Sequence, residues 1–150
     1  MKIKKIYLSG DHAGFKLKSK IRVWLEKKYL VEDVGPLVYD KKDDYPDFVI
    51  PMARKVAKNK NSRGLIIAGS GQGEAITTNK IKGIKAGLYH GGSPKIVKIG
   101  RLHDDINILC MGSRFVSEKE AKHAINIFLK SKFEGGRHSR RLKKMEKIEK

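Results

Sequence analysis

The fold is indicated first by residues 64–74, which read GLIIAGSGQGE. An apolar run of strand length at residues 64–68 passes into a glycine-rich loop, and a helix is predicted over residues 74–80. Similar apolar runs, most of them followed by turn residues, recur at 3–9, 30–34, 84–88 and 106–111. Segments with a helical period lie between these runs. We therefore predict an α/β fold, doubly wound, with a mostly parallel sheet of about five strands covered by helices on both faces.

The helical segments carry apolar stripes and residues typical of helix ends. Trp24 belongs to one such stripe and is expected in the core, while Pro46 stands near the start of the next helix. Ser117, with Glu120 three residues later, has the spacing of a capping box. These signals predict where several of the helices begin.

Length and composition indicate one domain over residues 1–150, long enough to bury a core. No apolar run approaches the roughly 18 residues of a membrane span or resembles the core of a signal peptide. We therefore expect a cytoplasmic protein that does not bind membranes. The single cysteine, Cys110, has apolar neighbours and is expected to be a buried core thiol.

The charge balance is strongly basic, with 34 Lys and Arg against 16 Asp and Glu and a net charge of +18. Such a surface attracts polyanions, nucleic acid included, and steers small phosphorylated substrates toward the protein. The lysines are spread along the whole chain, without the interleaved aromatic residues that base-stacking surfaces use. A generally basic surface is the preferred interpretation, and a nucleic-acid-binding role stays open as an alternative.

The loop at residues 69–73 brings several backbone N–H groups together between a strand and a helix. In a parallel sheet, ligands bind beyond the carboxyl ends of the strands, which is where this loop is expected. The loop can hold a phosphate or the negative oxygen of an enediolate. No Gly-Lys-Ser/Thr follows, so it is not a Walker loop, and a simple tight turn is the alternative interpretation.

Titratable residues flank three of the predicted strands. Glu74 ends the glycine loop, where it either faces a bound ligand or only caps the helix. Asp11 and His12 follow the first strand, and His103 with Asp104 precedes the last one. We expect all of them at one edge of the sheet, where acid and base groups would converge as proton transfer requires.

The end of the chain, residues 137–150, is basic, with three arginines within residues 137–141 behind a Gly-Gly pair. Arginine binds phosphate oxygens bidentately, so this run is either a phosphate clamp or a solvated basic tail. The same segment carries a narrow apolar stripe of Leu142, Met145 and Ile148. That stripe favours a final helix packed on a neighbour or on a second subunit, with a frayed tail as the alternative.

In this order and spacing, the motifs resemble those of the type B ribose-5-phosphate isomerase family, which includes the galactose-6-phosphate isomerase subunits. The resemblance covers residues 2–148 and rests on GDHAGF at 10–15, DDYP at 43–46, GSG at 69–71 through Asn79 and Lys80, His103, GSR at 112–114, and EGGRH at 134–138 with Arg141. It implies a Rossmann-like αβα sandwich without metal or other cofactor. It also implies a homodimer, or alternatively a tetramer, with sites near the subunit interface.

The resemblance further implies roles for individual residues. Asp11, His12 and His103 would bind the furanose and open its ring, with His103 as the acid. Ser70 and the loop amides would stabilise the C1 and C2 oxygens of the enediolate, and Arg137 with Arg141 would hold the phosphate. The full set implied to contact substrate is Asp11, His12, Gly69, Ser70, Gly71, Gln72, Gly73, Asp104, Arg114, Arg137, His138 and Arg141.

Two positions decide which branch of the family this chain resembles. Many members place the proton-transferring cysteine directly before the loop, where this chain has Ala68. A second branch places a glutamate directly after the loop, where this chain has Glu74. Glu74 is therefore the expected base.

Two departures from the family pattern bear on the substrate. Asp104 stands where the family usually has asparagine, so a hydrogen-bond donor to the sugar has become a carboxylate. Residues 90–100 also match the family poorly. We expect an aldose–ketose isomerase of D-ribose 5-phosphate and D-ribulose 5-phosphate, in the pentose phosphate pathway. An isomerase of another phosphorylated sugar and a non-catalytic, nucleic-acid-binding descendant are the alternatives.

Overall fold

The structure is a computed structural model that describes residues 2–149. Its strands are β1 (Lys5–Gly10), β2 (Leu30–Gly35), β3 (Ser62–Ala68), β4 (Ala86–Tyr89) and β5 (Ile108–Gly112). They form one parallel sheet of five strands in the order β2-β1-β3-β5-β4. Each predicted apolar run overlaps one of these strands, so the predicted α/β fold is confirmed.

Helices cover both faces of the sheet. They are α1 (Phe15–Leu25), α2 (Pro46–Lys58), α3 (Gln72–Thr78), α4 (Lys95–Asp104), α5 (Glu118–Lys130) and α6 (Arg137–Glu146). Helices α2 and α3 pack on one face, and α1, α4 and α5 on the other, while α6 packs on α4. None of the helices within residues 2–149 is long and apolar enough to cross a membrane.

The predicted helix signals are found in place. The Ser117 hydroxyl accepts a hydrogen bond from the Glu120 N–H at 3.1 Å, and the Glu120 carboxylate accepts one from the Ser117 N–H at 3.1 Å. Pro46 begins α2, as its position predicted. Helix α3 begins at Gln72, two residues before the predicted start, because the loop ends at Gly71 in the left-handed region with φ of 80°.

Each face of the sheet has its own apolar core. Cys110 is fully buried in the core beneath α2, beside Ile66 and Ala68, which confirms the prediction of a core thiol. Trp24 is only partly buried, and it packs against the core on the opposite face. These two cores hold the ends of the strands, and therefore the loops that follow them, in fixed positions.

The predicted C-terminal helix is confirmed over Arg137–Glu146. It enters through Gly135 and Gly136, which have φ of 71° and 58°, values that favour glycine. Leu142 is buried against the domain, whereas Met145 and Ile148 are 48% and 79% exposed. The helix is thus anchored at its start and leaves apolar side chains uncovered toward its end. Lys150 lies outside the described residues.

Candidate active site

The glycine loop lies at the carboxyl end of β3, in the centre of the sheet. Ser70 points its hydroxyl back into the loop, where it accepts a hydrogen bond from the Gln72 N–H at 3.3 Å. A side chain at Gly73 would collide with the Tyr45 hydroxyl, so glycine is required for this close approach. The loop is therefore a compact turn whose amides line the carboxyl edge of the sheet.

Glu74 lies directly behind this loop, with only 4% of its surface exposed. Desolvation by burial raises the pKa of its carboxyl, and the neighbouring Asp11 carboxyl raises that pKa further. Asp11 itself is 8% exposed and accepts a hydrogen bond from the Gly14 N–H at 3.1 Å. A buried carboxyl with a raised pKa beside a loop of backbone amides has the environment expected of a general base.

His12 sits in the turn between β1 and α1 and is held by Asp43. Its Nδ1 lies 2.6 Å from Oδ1 of Asp43, and the same oxygen accepts the His12 backbone N–H at 3.2 Å. The hydrogen bond to Asp43 is the main cause that raises the pKa of the His12 imidazole. Sequence reasoning assigned no role to Asp43. Its place in the DDYP motif was the available signal, and only the fold brings it to His12.

Arg114 joins the same group of residues from the turn after β5. Its guanidinium packs against the backbone of Gly69, and its own N–H donates to the Gly69 carbonyl at 3.2 Å. The adjacent Ser113 hydroxyl donates to the carbonyl of Ala13 at 2.8 Å. These contacts tie the turns after β1, β3 and β5 into one site, which we call the carboxyl-edge group: Asp11, His12, Asp43, residues 69–74 and Arg114.

His103 lies elsewhere, and the prediction that it shares one sheet edge with Asp11 and Glu74 is wrong. Helix α4 connects β4 to the parallel strand β5, so it runs from the carboxyl edge back to the amino edge. His103 is in the last turn of α4 and therefore lies at the amino edge of the sheet. Asp11 and Glu74 follow their strands and lie at the carboxyl edge. His103 precedes β5, and a residue that precedes a parallel strand lies at the amino edge.

A second set of predicted residues surrounds His103 at this edge. The His103 and His138 rings stack, with centroids 4.2 Å apart and planes 11° apart. Arg137 and Arg141 are exposed on the same helix as His138, and Asp104 is exposed beside His103. We call His103, Asp104, Arg137, His138 and Arg141 the amino-edge group.

The ligand atoms of His103, His138 and Glu134 lie within 4.8 Å of one another, a spacing that a metal site requires. Nε2 of His138 is buried without a hydrogen-bond partner among residues 2–149, and the nearest Glu134 oxygen is 3.5 Å away. The two rings, however, are stacked with nearly parallel planes, so their in-plane lone pairs do not converge on one point. One ring would have to turn before both could bind one ion.

The loop at residues 90–93 follows β4 at the carboxyl edge. His90 is exposed and contacts Phe115 edge-on, with ring centroids 6.4 Å apart. The Tyr89 hydroxyl donates to the Gly92 carbonyl at 2.8 Å and closes the loop on itself. This loop therefore has its own internal support at the rim of the site.

The thiol of Cys110 is poorly suited to act as a base. Burial raises the pKa of Cys110, and the nearby charge of Glu74 adds to that rise. Ala68, at the end of β3, is fully buried and carries no ionisable group. Of Glu74, Cys110 and Ala68, only Glu74 therefore offers a carboxylate beside the loop.

Comparison with known proteins identifies the family of this chain. Residues 6–145 match the family model described as Ribose/Galactose Isomerase. The chain is 43% identical over 147 residues to a probable ribose-5-phosphate isomerase B of Mycoplasma genitalium, covering 97% of this chain and 95% of that protein. It is 36% identical over 148 residues to ribose-5-phosphate isomerase B of Escherichia coli, covering 98% and 97% of the two chains.

A solved structure extends the similarity to the fold. The crystal structure of ribose-5-phosphate isomerase B from Mycoplasma genitalium with bound ribulose 5-phosphate superposes with a TM-score of 0.92 at 41% identity. The match covers 99% of this chain and 98% of that one. With its parallel sheet, glycine loop and matching motifs, this chain belongs to the ribose/galactose isomerase family, together with the type B ribose-5-phosphate isomerases.

Proposed function

We propose that this chain, as a single domain over residues 1–150, interconverts D-ribose 5-phosphate and D-ribulose 5-phosphate in the pentose phosphate pathway. The observation that carries the proposal is the buried Glu74 carboxyl beside Asp11, at the mouth of an amide-lined loop. The activity for which relatives matching nearly the whole chain are named supports the same reaction. A cytoplasmic location stays a prediction.

In the proposed mechanism, Glu74 removes the proton from C2 of the open-chain aldose and returns it to C1. The C1 oxygen gains a proton and the C2 hydroxyl loses one, so the cis-enediolate becomes the ketose without any cofactor. Ser70 and the amides of residues 71–73 stabilise the negative oxygens of the enediolate. Asp11 and His12 bind the furanose, and His103 donates the proton that opens its ring.

This mechanism requires both groups of residues at one substrate, although they lie at opposite edges of one sheet. A twofold axis perpendicular to the strands reverses strand direction, so it would bring the amino-edge group of one copy to the carboxyl-edge group of another. We therefore propose a homodimer in which each site takes Glu74 from one subunit and His103, Arg137 and Arg141 from its partner. A tetramer would be two such dimers.

Apolar surface beside the edge strand β4 supports this assembly. A cavity of about 860 Å³ lies there between β4, α4 and α6. Its walls include the exposed side chains of Ile96, Ile99, Met145 and Ile148. Uncovered apolar surface of this kind is typical of subunit interfaces, and it continues into the helix that carries the arginines.

The first prediction tests the reaction itself. Purified protein should isomerise ribose 5-phosphate in the presence of EDTA at the rate measured without it, because the proposed acid, base and oxyanion groups are all side chains and amides. The measurement is a coupled assay over a panel of phosphorylated pentoses and hexoses. Preference for a hexose phosphate would reject ribose 5-phosphate as the substrate. Loss of activity in EDTA would reject the metal-free mechanism.

The second prediction concerns Asp104, the residue that differs from the family pattern. Asp104→Asn should lower the KM for ribose 5-phosphate, since it removes a negative charge near an anionic substrate and adds a hydrogen-bond donor. Asp105→Asn is unsuitable as a control because the Asp105 carboxylate accepts a hydrogen bond from Arg101 at 2.8 Å. The control is Asp40→Asn, which makes the same substitution at an exposed position. A higher KM in Asp104→Asn would mean that Asp104 recognises a different sugar.

A further inference from the structure

The DDYP segment at residues 43–46 lies between β2 and α2 and packs against the carboxyl-edge group. Tyr45 places its hydroxyl against Gly73, at the end of the glycine loop. Asp43 places its carboxylate under His12, with only 5% of that side chain exposed. Residues 43–46 thus contact both the glycine loop that precedes Glu74 and the side chain of His12.

Asp43 contacts His12 through a single oxygen. Oδ1 of Asp43 receives both the ring Nδ1–H and the backbone N–H of His12. The hydrogen bond from the His12 backbone N–H fixes the position of the Asp43 carboxylate. The hydrogen bond from Nδ1 fixes the rotation of the imidazole ring. Because Nδ1 is occupied, Nε2 is the ring nitrogen left to meet a ligand, and the His12 side chain is 31% exposed.

The charges around this pair leave Asp43 as the main influence on His12. The Asp11 carboxylate adds to the effect of Asp43 and raises the pKa of His12, whereas Arg114 and burial lower that pKa. Lys18 faces Asp43 from α1, but its ammonium hydrogen-bonds Asp33 and the Pro36 carbonyl instead. Oδ2 of Asp43 is buried and has no hydrogen-bond partner among residues 2–149. Within residues 2–149, the Asp43 carboxylate therefore accepts hydrogen bonds from His12 alone.

We propose that Asp43 is a positioning residue that holds His12 protonated, with its Nε2–H directed at an oxygen of the bound sugar phosphate. This inference rests on the proposed isomerase function and adds to it a residue and a charge state. A histidine fixed in this way donates a charge-assisted hydrogen bond, which is stronger than the bond a neutral imidazole makes. His12 and Arg114 then form a positive pair on the subunit that supplies Glu74.

The test compares Asp43→Asn with Asp44→Asn. Both substitutions remove one negative charge from the same segment, but Asp44 is exposed and makes no side-chain hydrogen bond within residues 2–149. A pH titration of the His12 ring by ¹⁵N NMR should find its pKa raised in the wild-type protein, lowered in Asp43→Asn and unmoved in Asp44→Asn. A wild-type His12 that titrates at or below the ordinary histidine value would overturn the proposal, and this holds even if Asp43→Asn does not fold.

Kinetics provide the second readout. Asp43→Asn should reduce kcat/KM by about tenfold to 100-fold, less than the 10² to 10⁴ that a positioned acid–base group itself contributes, and the loss should grow as the pH rises. In a His12→Gln background the same Asp43→Asn change should cost less than about threefold, because its effect passes through His12. An equal loss in both backgrounds would make Asp43 a merely structural residue. An inactive wild type with the expected titration would reject the isomerase function and leave the Asp43–His12 pairing intact.

Discussion

Glu74→Gln is expected to reduce kcat by about 10²- to 10⁴-fold, the usual contribution of a positioned acid–base group, while the affinity for a phosphorylated ligand barely changes. Glutamine keeps the size and polarity of the side chain but has no carboxylate to accept a proton from carbon. Steady-state kinetics and a competitive sugar-phosphate inhibitor would measure the two effects separately. A selective loss of kcat is the result that identifies Glu74 as the base.

Cys110→Ser is the matched control for this variant, because the Cys110 thiol is a titratable group on the same side of the sheet, near Ala68. The thiol is fully buried, and burial raises its pKa, so it is not available as a thiolate. Its replacement should leave kcat within about twofold and act only on stability. If Glu74→Gln stays active, or if Cys110→Ser loses its activity, then the base has been misassigned.

The pH profile adds an independent check on Glu74. A base acts only when deprotonated, so the rate should rise with pH through the pKa of Glu74 and fall again once His12 loses its proton. Burial and the Asp11 carboxyl both raise this pKa, which moves the acidic limb of the profile to higher pH than an ordinary glutamate would give. Asp11→Asn should move that limb back toward lower pH.

The strands and the glycine loop could be predicted from sequence because their signals are local. An apolar run of strand length marks each of the five strands, and turn residues follow most of these runs. The start of α5 was equally clear, since Ser117 and Glu120 satisfy each other's backbone N–H groups within one turn. Such features need no knowledge of distant residues.

The site was harder to predict because its contacts join distant residues. His12 meets Asp43 across 31 positions of the chain, and no local pattern records that pairing. His103 was predicted to be functional, and it was assigned to the wrong edge of the sheet. Its correct edge follows from the direction of α4, which a parallel sheet dictates once β4 and β5 are neighbours. The stacking of His103 on His138 depends on how α6 folds back on α4 and was not foreseen.

Because the two groups lie at opposite edges, hybrid dimers give the sharpest test of the whole assembly. Glu74→Gln and His103→Gln should each be inactive as homodimers, losing about 10²- to 10⁴-fold in kcat. A hybrid of one subunit of each kind would combine the intact carboxyl-edge group of one with the intact amino-edge group of the other at a single site. Hybrids purified through two different affinity tags should therefore recover about half of the wild-type activity.

A hybrid of Glu74→Gln with His12→Gln is the control for this experiment. Both residues belong to the carboxyl-edge group, so each of its sites carries one defect and no activity should return. A site built within one subunit would leave both hybrids inactive, because neither subunit is then intact. Recovery in the Glu74/His103 hybrid alone would mean that each substrate is held by residues from both edges of the sheet, on two different chains. That arrangement would explain why the stacked histidines and the exposed arginines lie so far from the base within one subunit.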